Sequence, residues 1–443
     1  MTDMARQLAV LVLLAACKSE PPPVAREQPA PLAPDAGSAA PSATVVAEAK
    51  SDHGETRLFS GRAEDLDGDG TLELIAGGFS AVAGGKRSTL RAYRQTGASW
   101  TPIAEAGWDG GEGSTIRNVE IGDVDGDGKP DVIALGRVGA MSENDAKARL
   151  AVFGLEGGKL VKRADVDWRS GTYTHGYGLA VGDLDGDGTL ELVTGGFELA
   201  GTKERGFVRV WSLRDGKLAL RAETTLDGQG SASMRINDVA IGDVDGDGKP
   251  EIVVAGRRGA LKTAASKNLA QRREAGDLTV LAFAGDRLTT RTRFAWSKGT
   301  SMRLRSLVFS GRDIVAGGQY DADGKPALAL FGFERGKLVL RDDASSTAEG
   351  VTGEIKDLVF ADQRVLATGV TGGKPDRQSD VGAWRVERGK LVREANLVSR
   401  NGDETRARAV VVIPGKTGST ILTIGHAKDQ KTMIGQVLSW PLP

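Results

Sequence analysis

Asp65-Leu-Asp-Gly-Asp-Gly-Thr-Leu-Glu73 returns three times almost unchanged, as Asp123-Val-Asp-Gly-Asp-Gly-Lys-Pro-Asp131, Asp183-Leu-Asp-Gly-Asp-Gly-Thr-Leu-Glu191 and Asp243-Val-Asp-Gly-Asp-Gly-Lys-Pro-Glu251, with starts 58, 60 and 60 residues apart. After each comes a short apolar strand ending in Gly: Leu74 to Gly78, Val132 to Gly136, Leu192 to Gly196 and Ile252 to Gly256. The same strand recurs without the acidic loop at Ile314 to Gly318, Val365 to Gly369 and Ile421 to Gly425, which makes seven units spaced by 51 to 62 residues. Within a unit the pattern is an inner strand, the loop or a short turn, the Gly-ended strand, a variable loop, a third strand, a tight turn and a fourth strand. Leu150 to Leu155, Gly157-Gly158-Lys159 and Leu160 to Trp168 supply the last three pieces in one unit, and Arg335-Gly336-Lys337 and Arg388-Gly389-Lys390 repeat the hairpin turn. Four-stranded units at a fixed period predict an all-β, seven-bladed β-propeller, a ring that leaves only short sheet edges. The chain stops at Pro443 after a third-type strand, Met433 to Trp440, so Thr44 to Lys50 is expected to complete the last blade and close the ring.

Asp at positions 1, 3 and 5, a carbonyl at position 7 and a carboxylate at position 9 converge oxygen atoms on one point when glycines let the chain turn tightly, which suits a calcium ion. An EF-hand would need Glu at position 12, where this chain has Ala76, Ala134, Thr194 and Val254. A position-9 carboxylate followed at once by a strand instead resembles the calcium hairpin of FG-GAP or VCBS-type repeats, found in integrin α-subunit propellers and many bacterial secreted proteins. The resemblance spans residues 44–443; in the last three units only the strand pattern carries it. It implies these ligands: Asp65, Asp67, Asp69, the Thr71 carbonyl and Glu73; Asp123, Asp125, Asp127, the Lys129 carbonyl and Asp131; Asp183, Asp185, Asp187, Thr189 and Glu191; Asp243, Asp245, Asp247, Lys249 and Glu251. About four Ca²⁺ per chain are expected, structural rather than catalytic, because no His or nucleophile adjoins the loops. The alternative is acidic turns that stay solvated, against which stands the repulsion of carboxylates packed without a cation. Asp321-Ala-Asp323-Gly-Lys325 has Lys at position 5 and Ala329 at position 9, and is expected to be an ordinary turn.

The amino-terminal 43 residues are of another kind. Arg6, the apolar run Leu8 to Ala16 and then Cys17 have the layout of a secretory signal, too short to span a membrane. Leu14-Ala15-Ala16-Cys17 resembles the bacterial lipoprotein box, which implies cleavage after residue 16 and lipid on Cys17; an ordinary signal with a stray cysteine is the alternative. Lys18 in place of Asp favours the outer membrane. Residues 17–43 carry Pro21, Pro22, Pro23, Pro29, Pro31, Pro34 and Pro41 among Ala, Glu and Ser, a linker able to reach roughly 80 Å if extended at about 3.1 Å per residue. One cysteine excludes an intrachain disulfide framework and Cys-based zinc sites.

Lys and Arg number 58 against 59 Asp and Glu, so there is no basic excess to bind nucleic acid. Four Ca²⁺ would move the formal charge from −1 to +7, leaving the rest of the surface basic. The resemblance places ligands on the face opposite the calcium hairpins. Eight residues before the first loop Asp, or its equivalent, stand Arg57, Thr115, His175, Arg235, Arg303, Glu354 and Arg406; two residues later stand Phe59, Arg117, Tyr177, Asn237, Arg305, Lys356 and Arg408. Residues two apart on a strand face the same way, so two basic layers are expected round one channel mouth. The loop Arg257 to Asp277 adds Arg258, Lys262, Lys267, Arg272 and Arg273. Arg57, Arg117, His175, Arg235, Arg303, Arg305, Arg406 and Arg408 are the candidates for holding an anionic glycan or acidic protein patch. Alternatively these arginines pair with Glu112, Asp238, Asp357 and Glu354 and merely solvate the mouth. The expected function is a lipid-tethered, non-enzymatic binding module, monomeric, in the cell envelope. An enzyme acting on acidic polysaccharides, with Tyr173, His175 and Tyr177 as acid and base, or a scaffold of an envelope complex, are the competing readings.

Overall fold

A computed structural model describes residues 43–441 except 109–112, 141–143, 229–231, 260–273, 322–323, 345–351, 374–375, 416–417 and 431. The signal, Cys17 and nearly all of the linker lie outside the described residues. Seven antiparallel four-stranded sheets account for the strands. Blade one runs from its inner strand Thr56–Glu64 through Glu73–Val82 and Gly85–Thr96 to the outer Ser99–Ala106. The next five blades repeat that order, and the seventh is closed from the chain's other end: Thr44–Ala49 pairs with Thr432–Trp440, setting Thr44 opposite Ser439 and Ala49 opposite Gly435. The expected seven-bladed ring and its closure are therefore what the chain forms.

Packing follows from alternation. Residues on one side of each sheet meet those of the next blade, as in the cluster of Ile75, Leu90 and Ala92 of blade one against Ile116, Val119 and Val132 of blade two. The outer hairpins turn as the sequence demands, with Arg335 at φ 49° and Gly336 at 77°, the doubly positive geometry of a type I′ turn.

One feature of the inner strands departs from simple alternation. In every blade the pairing with the second strand slips by one residue, and the extra residue is Phe59, Arg117, Tyr177, Asn237, Arg305, Lys356 or Arg408. A bulge of this kind bends the strand and re-aims the unpaired side chain. It also explains the repeated glycine. A Cβ on Gly78 would lie 1.9 Å from the carbonyl oxygen of Arg57, and Gly136, Gly256 and Gly318 meet Thr115, Arg235 and Arg303 at the same 1.9 Å. The glycines are therefore mid-strand, not strand ends: the second strand of blade one continues past Gly78 to Val82.

Inner strands are also tied to one another by side chains next to the bulge. Ser60 Oγ accepts the N–H of Val119, Asp238 Oδ2 that of Leu307, Ser306 Oγ that of Leu358 and Asp357 Oδ2 that of Val410, at 2.9 to 3.2 Å. Each bond spans two neighbouring blades around the channel.

A buried acid outside this ring of bonds gives the first testable consequence. Asp380, on the third strand of blade six (Gln378–Glu387), is 6% exposed and its Oδ1 has no partner among the described residues. Burial pushes its carboxyl up to about 7, against hydrogen bonds from the Gly369 and Asp380 backbone. The folded chain keeps a proton that the unfolded chain releases near pH 4, so this group's contribution to stability falls as pH rises from about 4 to about 7. Asp380→Asn should raise unfolding stability at pH 8 by on the order of 4 kcal/mol and leave it nearly unchanged at pH 4. Urea unfolding at the two pH values measures this, and an equal response at both would show that Asp380 stays charged.

Candidate functional site

The four acidic loops have one geometry. Asp65 Oδ1 accepts the N–H groups of Gly68 at 2.8 Å and Asp69 at 3.1 Å, while its Oδ2 accepts that of Gly70 at 2.9 Å. Asp69 accepts from Thr71 at 2.8 Å, and the buried Glu73 accepts from Leu66 at 3.1 Å. Asp123, Asp183 and Asp243 hold their loops in the same way through Gly126 and Gly128, Gly186 and Gly188, and Gly246 and Gly248. Such a wrap requires left-handed backbone at positions 4 and 6, where Gly68 and Gly70 have φ of 76° and 84°.

Carboxylate oxygens converge within 4.8 Å in each loop, from Asp65, Asp67 and Glu73, from Asp123, Asp125 and Asp127, from Asp183, Asp185 and Glu191, and from Asp243, Asp245 and Glu251. Asp69, Asp187 and Asp247, and Asp131 in blade two, stand outside these sets. The position-7 residues Thr71, Lys129, Thr189 and Lys249 donate their N–H to the position-5 carboxylate at 2.8 Å. An all-oxygen set of clustered carboxylates fits a hard cation of the calcium type. Crowding shows in Asp131, whose carboxyl is pushed up to about 6 by burial and by Asp125 and Asp127, with Arg163 opposing.

Arginine is the component that sequence spacing did not reveal. Arg94 reaches Asp67 at 2.7 Å and Glu73 at 2.6 Å; Arg163 reaches Asp125 at 2.7 Å and Asp131 at 2.8 Å; Arg221 reaches Asp185 and Glu191 at 2.9 Å; and Arg291 holds Asp245 at 2.7 Å and Glu251. Each loop thus contains a resident positive charge, and the expectation that its carboxylates lack any counter-charge without metal is corrected. Asp321, in the loop set apart by its Lys, accepts the Thr300 N–H at 2.8 Å and pairs with Lys325 at 3.2 Å.

At the other end of the inner strands the two expected layers differ in role. The bulge residues Phe59, Arg117, Tyr177, Asn237, Arg305, Lys356 and Arg408 all line a central cavity of about 930 Å³. The layer before them does not line it. Arg57 pairs with Glu55, Arg235 with Glu204, Arg303 with Glu274 at 2.7 Å and Arg406 with Glu404 at 2.6 Å, so most of the rim is neutralised. Their partners lie largely on third strands or at strand entries, not at the residues anticipated. Asp238 and Asp357 accept backbone N–H groups, while Glu354 pairs with Arg305 at 2.5 Å and with Lys356. Glu112 lies outside the described residues. Arg257 and Arg258, expected in a loop, lie on the strand Glu251–Gly259, with Arg257 held by Glu274 and Arg258 3.7 Å from Asp277. Lys262, Lys267, Arg272 and Arg273 fall outside the described residues.

Two cavity-lining arginines are different. Arg117 lies over the Phe59 ring at 4.2 Å and near Tyr177 at 5.6 Å, and Arg408 lies over Phe59 at 5.8 Å. Among the described residues neither has a carboxylate within ion-pair distance, and the Nε of each is buried with no acceptor. Burial pushes Arg408 down to about 9, opposed by Glu354 and assisted by Arg406, Arg117 and Arg305. Nearby His426 is buried with neither ring nitrogen bonded among the described residues, and burial holds it neutral with the help of Arg408 and Arg57. Burial raises the Tyr177 hydroxyl's pKa, but Arg117, Arg235, Arg305 and Arg137 outweigh it and lower the pKa below its usual value.

His175 is fully buried. It stacks against Tyr177 at 4.3 Å and Phe197 at 5.6 Å, and its Nδ1 meets the Gly176 carbonyl at 2.9 Å. Tyr173 packs edge-on to Phe197 in the same apolar cluster. These aromatic contacts make a stack beside the cavity, with only Tyr177 of the three on its wall.

A family model for the FG-GAP-like repeat matches residues 56–134, the span from the first inner strand through the second acidic loop. Among solved structures the chain is similar to Sqt1 from Chaetomium thermophilum, at 14% identity and a TM-score of 0.50 over 90% of this chain and 99% of that one. A protein from Lactobacillus plantarum is similar at 11% identity and a TM-score of 0.49, over 78% of this chain and 89% of the other. No curated protein matches the chain. The repeat and the ring belong to a fold that supports interaction modules.

Proposed function

We propose that this FG-GAP-like propeller is a non-enzymatic binding module of the cell envelope, tethered through lipid on Cys17, clamped by calcium in its acidic loops, and binding an anionic partner in its channel. The observation that carries the anion is the pair Arg117 and Arg408, two half-buried guanidiniums on the cavity wall without a carboxylate partner among the described residues. Burying a charge without a counter-charge is costly, and a buried N–H without an acceptor costs roughly 1–3 kcal/mol. An oxyanion between them offsets both costs and gains charge-assisted hydrogen bonds.

The depth of the pair selects the shape of the partner. Arg117 and Arg408 sit one layer inside a rim that is already ion-paired, so a flat acidic protein surface meets neutral ground first. A slender carboxylated chain can lie along the cavity, whose wall sets Phe59 and Tyr177 beside the two arginines. An acidic glycan is therefore the preferred ligand class.

Fluorescently labelled polygalacturonate, titrated against the purified protein at fixed salt, tests this. Arg117→Gln with Arg408→Gln should weaken binding at least tenfold in a protein that still melts cooperatively. Equal affinity of variant and wild type sinks the channel reading. Tighter binding of polyglutamate than of polygalacturonate transfers the site to an acidic protein, and shortening of the glycan during incubation restores the enzymatic reading.

A further inference from the structure

Where the outer strand of a blade pairs with the third strand it also carries one extra residue, and its identity follows a rule. It is Arg163 in blade two, Arg221 in three, Arg291 in four and Arg341 in five, then Glu394 in six. Each reaches across the third strand to the residue that opens the second strand. In blades two to four that residue is the position-9 carboxylate, Asp131, Glu191 or Glu251. In blade five, which lacks the acidic loop, Arg341 still reaches Asp313 at 2.5 Å. In blade six the charges are exchanged: Arg364 opens the second strand and donates to Glu394 at 2.6 Å. The pair is present whether or not a metal loop is.

In blades two and five the third strand is shaped to admit it, whereas Ser212 and Ala282 stand at that position in blades three and four. A Cβ on Gly154 would stand 2.5 Å from Arg163 Nε, and one on Gly332 would stand 2.2 Å from Arg341 Nε. Blade one reaches the same end differently, since its extra outer residue is Ile103 and the guanidinium comes from Arg94, directly opposite Glu73. Blade seven, whose outer strand comes from the amino-terminal segment, has Val46 and Thr420 at the two positions and no such pair.

We propose that this pair is a charge lock fastening the outer strands of blades two to six to their blades, and that in blades two to four the locking arginine competes with calcium for the loop carboxylates. The competition follows from sharing. Arg163, Arg221 and Arg291 hold both the position-9 carboxylate and the position-3 aspartates Asp125, Asp185 and Asp245, two of the groups a calcium ion would need. A guanidinium already neutralises part of that charge and repels a second cation at close range. The loops therefore stay folded without metal, and calcium binds them weakly, in the range of extracellular modules at about 10⁻⁴ to 10⁻³ M. This second half rests on the calcium reading of the loops; the lock does not.

Calorimetric calcium titration of the purified protein tests the competition. Arg163→Gln, Arg221→Gln and Arg291→Gln together should tighten three of the four sites at least fivefold, with the Arg94 site as internal reference. Unchanged or weaker binding overturns the competition, because the guanidiniums would then orient the carboxylates or do nothing. Should the triple variant not fold, Arg163→Gln alone gives the same comparison at one site. A wild-type protein that takes up no calcium ends the calcium reading and the competition with it. The lock is tested apart from metal in blade five, with chelator present. Arg341→Gln and Asp313→Asn should each lower the melting temperature, and the double variant should fall no further than the worse single one. Additive losses overturn the lock.

Discussion

A protein lacking residues 44–51 is expected to lose its cooperative thermal transition. Those residues supply the whole outer strand of blade seven, and they bring the two ends of the folded chain together: Gln436 donates to Glu48 at 3.2 Å across 388 residues of sequence. Val46, Ala47 and Ala49 are buried at this seam, in one cluster with Leu58 and Leu74 of blade one and Leu422 and Ile424 of blade seven. Burial of a side chain such as Val46 contributes about 1.5–3 kcal/mol, and the strand adds backbone pairing of Thr44–Ala49 against Gly435 to Ser439. Losses of this size compare with the total stability of an ordinary domain, about 5–15 kcal/mol. The deletion also leaves an unpaired edge on Thr432–Trp440, which invites association between chains. Circular dichroism and light scattering on heating should show a broad, non-cooperative change with aggregation. A sharp transition at the wild-type temperature would mean that blade seven stands with three strands and that the ring needs no closing strand.

The ring could be read from the sequence because its evidence is local. Each acidic loop is followed at once by its strand, and the strand recurs with its glycine even where the loop is missing, so Ile314, Val365 and Ile421 mark blades five to seven as clearly as Leu74 marks blade one. Closure needed only the observation that the last unit ends one strand short. The bulges were not read, although the sequence holds two traces of them. One is the repeated glycine at Gly78 and its equivalents, whose purpose is to admit the carbonyl that the bulge pushes toward it. The other is the polar residue after the bulge, Ser60, Asn118, Asp238, Ser306 or Asp357, which strict alternation would have placed beside the core. Without the bulge, Arg235 and Arg408 look equivalent; with it, one is ion-paired at the rim and the other lines the cavity. The locking pairs escaped for the same reason. Arg163 and Asp131 are 32 residues apart, and a bulge on the outer strand reverses the side on which period-two reasoning places the arginine.

On the proposed calcium reading, withdrawal of the ion should lower the melting temperature by about 14 °C and leave the transition cooperative. The magnitude comes from mass action. A ligand at about 100 times its dissociation constant stabilises by about 2.7 kcal/mol per site. Four sites together therefore contribute about 11 kcal/mol, against an unfolding entropy near 2 cal/mol/K per residue over some 400 residues. The persistence of a folded, cooperative protein in chelator follows from the arginines. With Arg94 on Glu73, Arg163 on Asp131, Arg221 on Glu191 and Arg291 on Glu251, the position-9 carboxylates keep a counter-charge when no metal is present. The backbone N–H bonds to Asp65, Asp123, Asp183 and Asp243 likewise hold the turns by themselves. Differential scanning calorimetry in calcium at about 100 times the dissociation constant, about 10–100 mM for sites of this affinity, and in chelator separates the possible outcomes. Identical melts would show that the loops are acidic turns with no structural metal. A chain unfolded in chelator would show that the arginines do not suffice, and that calcium is a condition of folding and not an increment to it. A shift of about 14 °C between two cooperative transitions is what loops with both a resident guanidinium and an exchangeable cation must give.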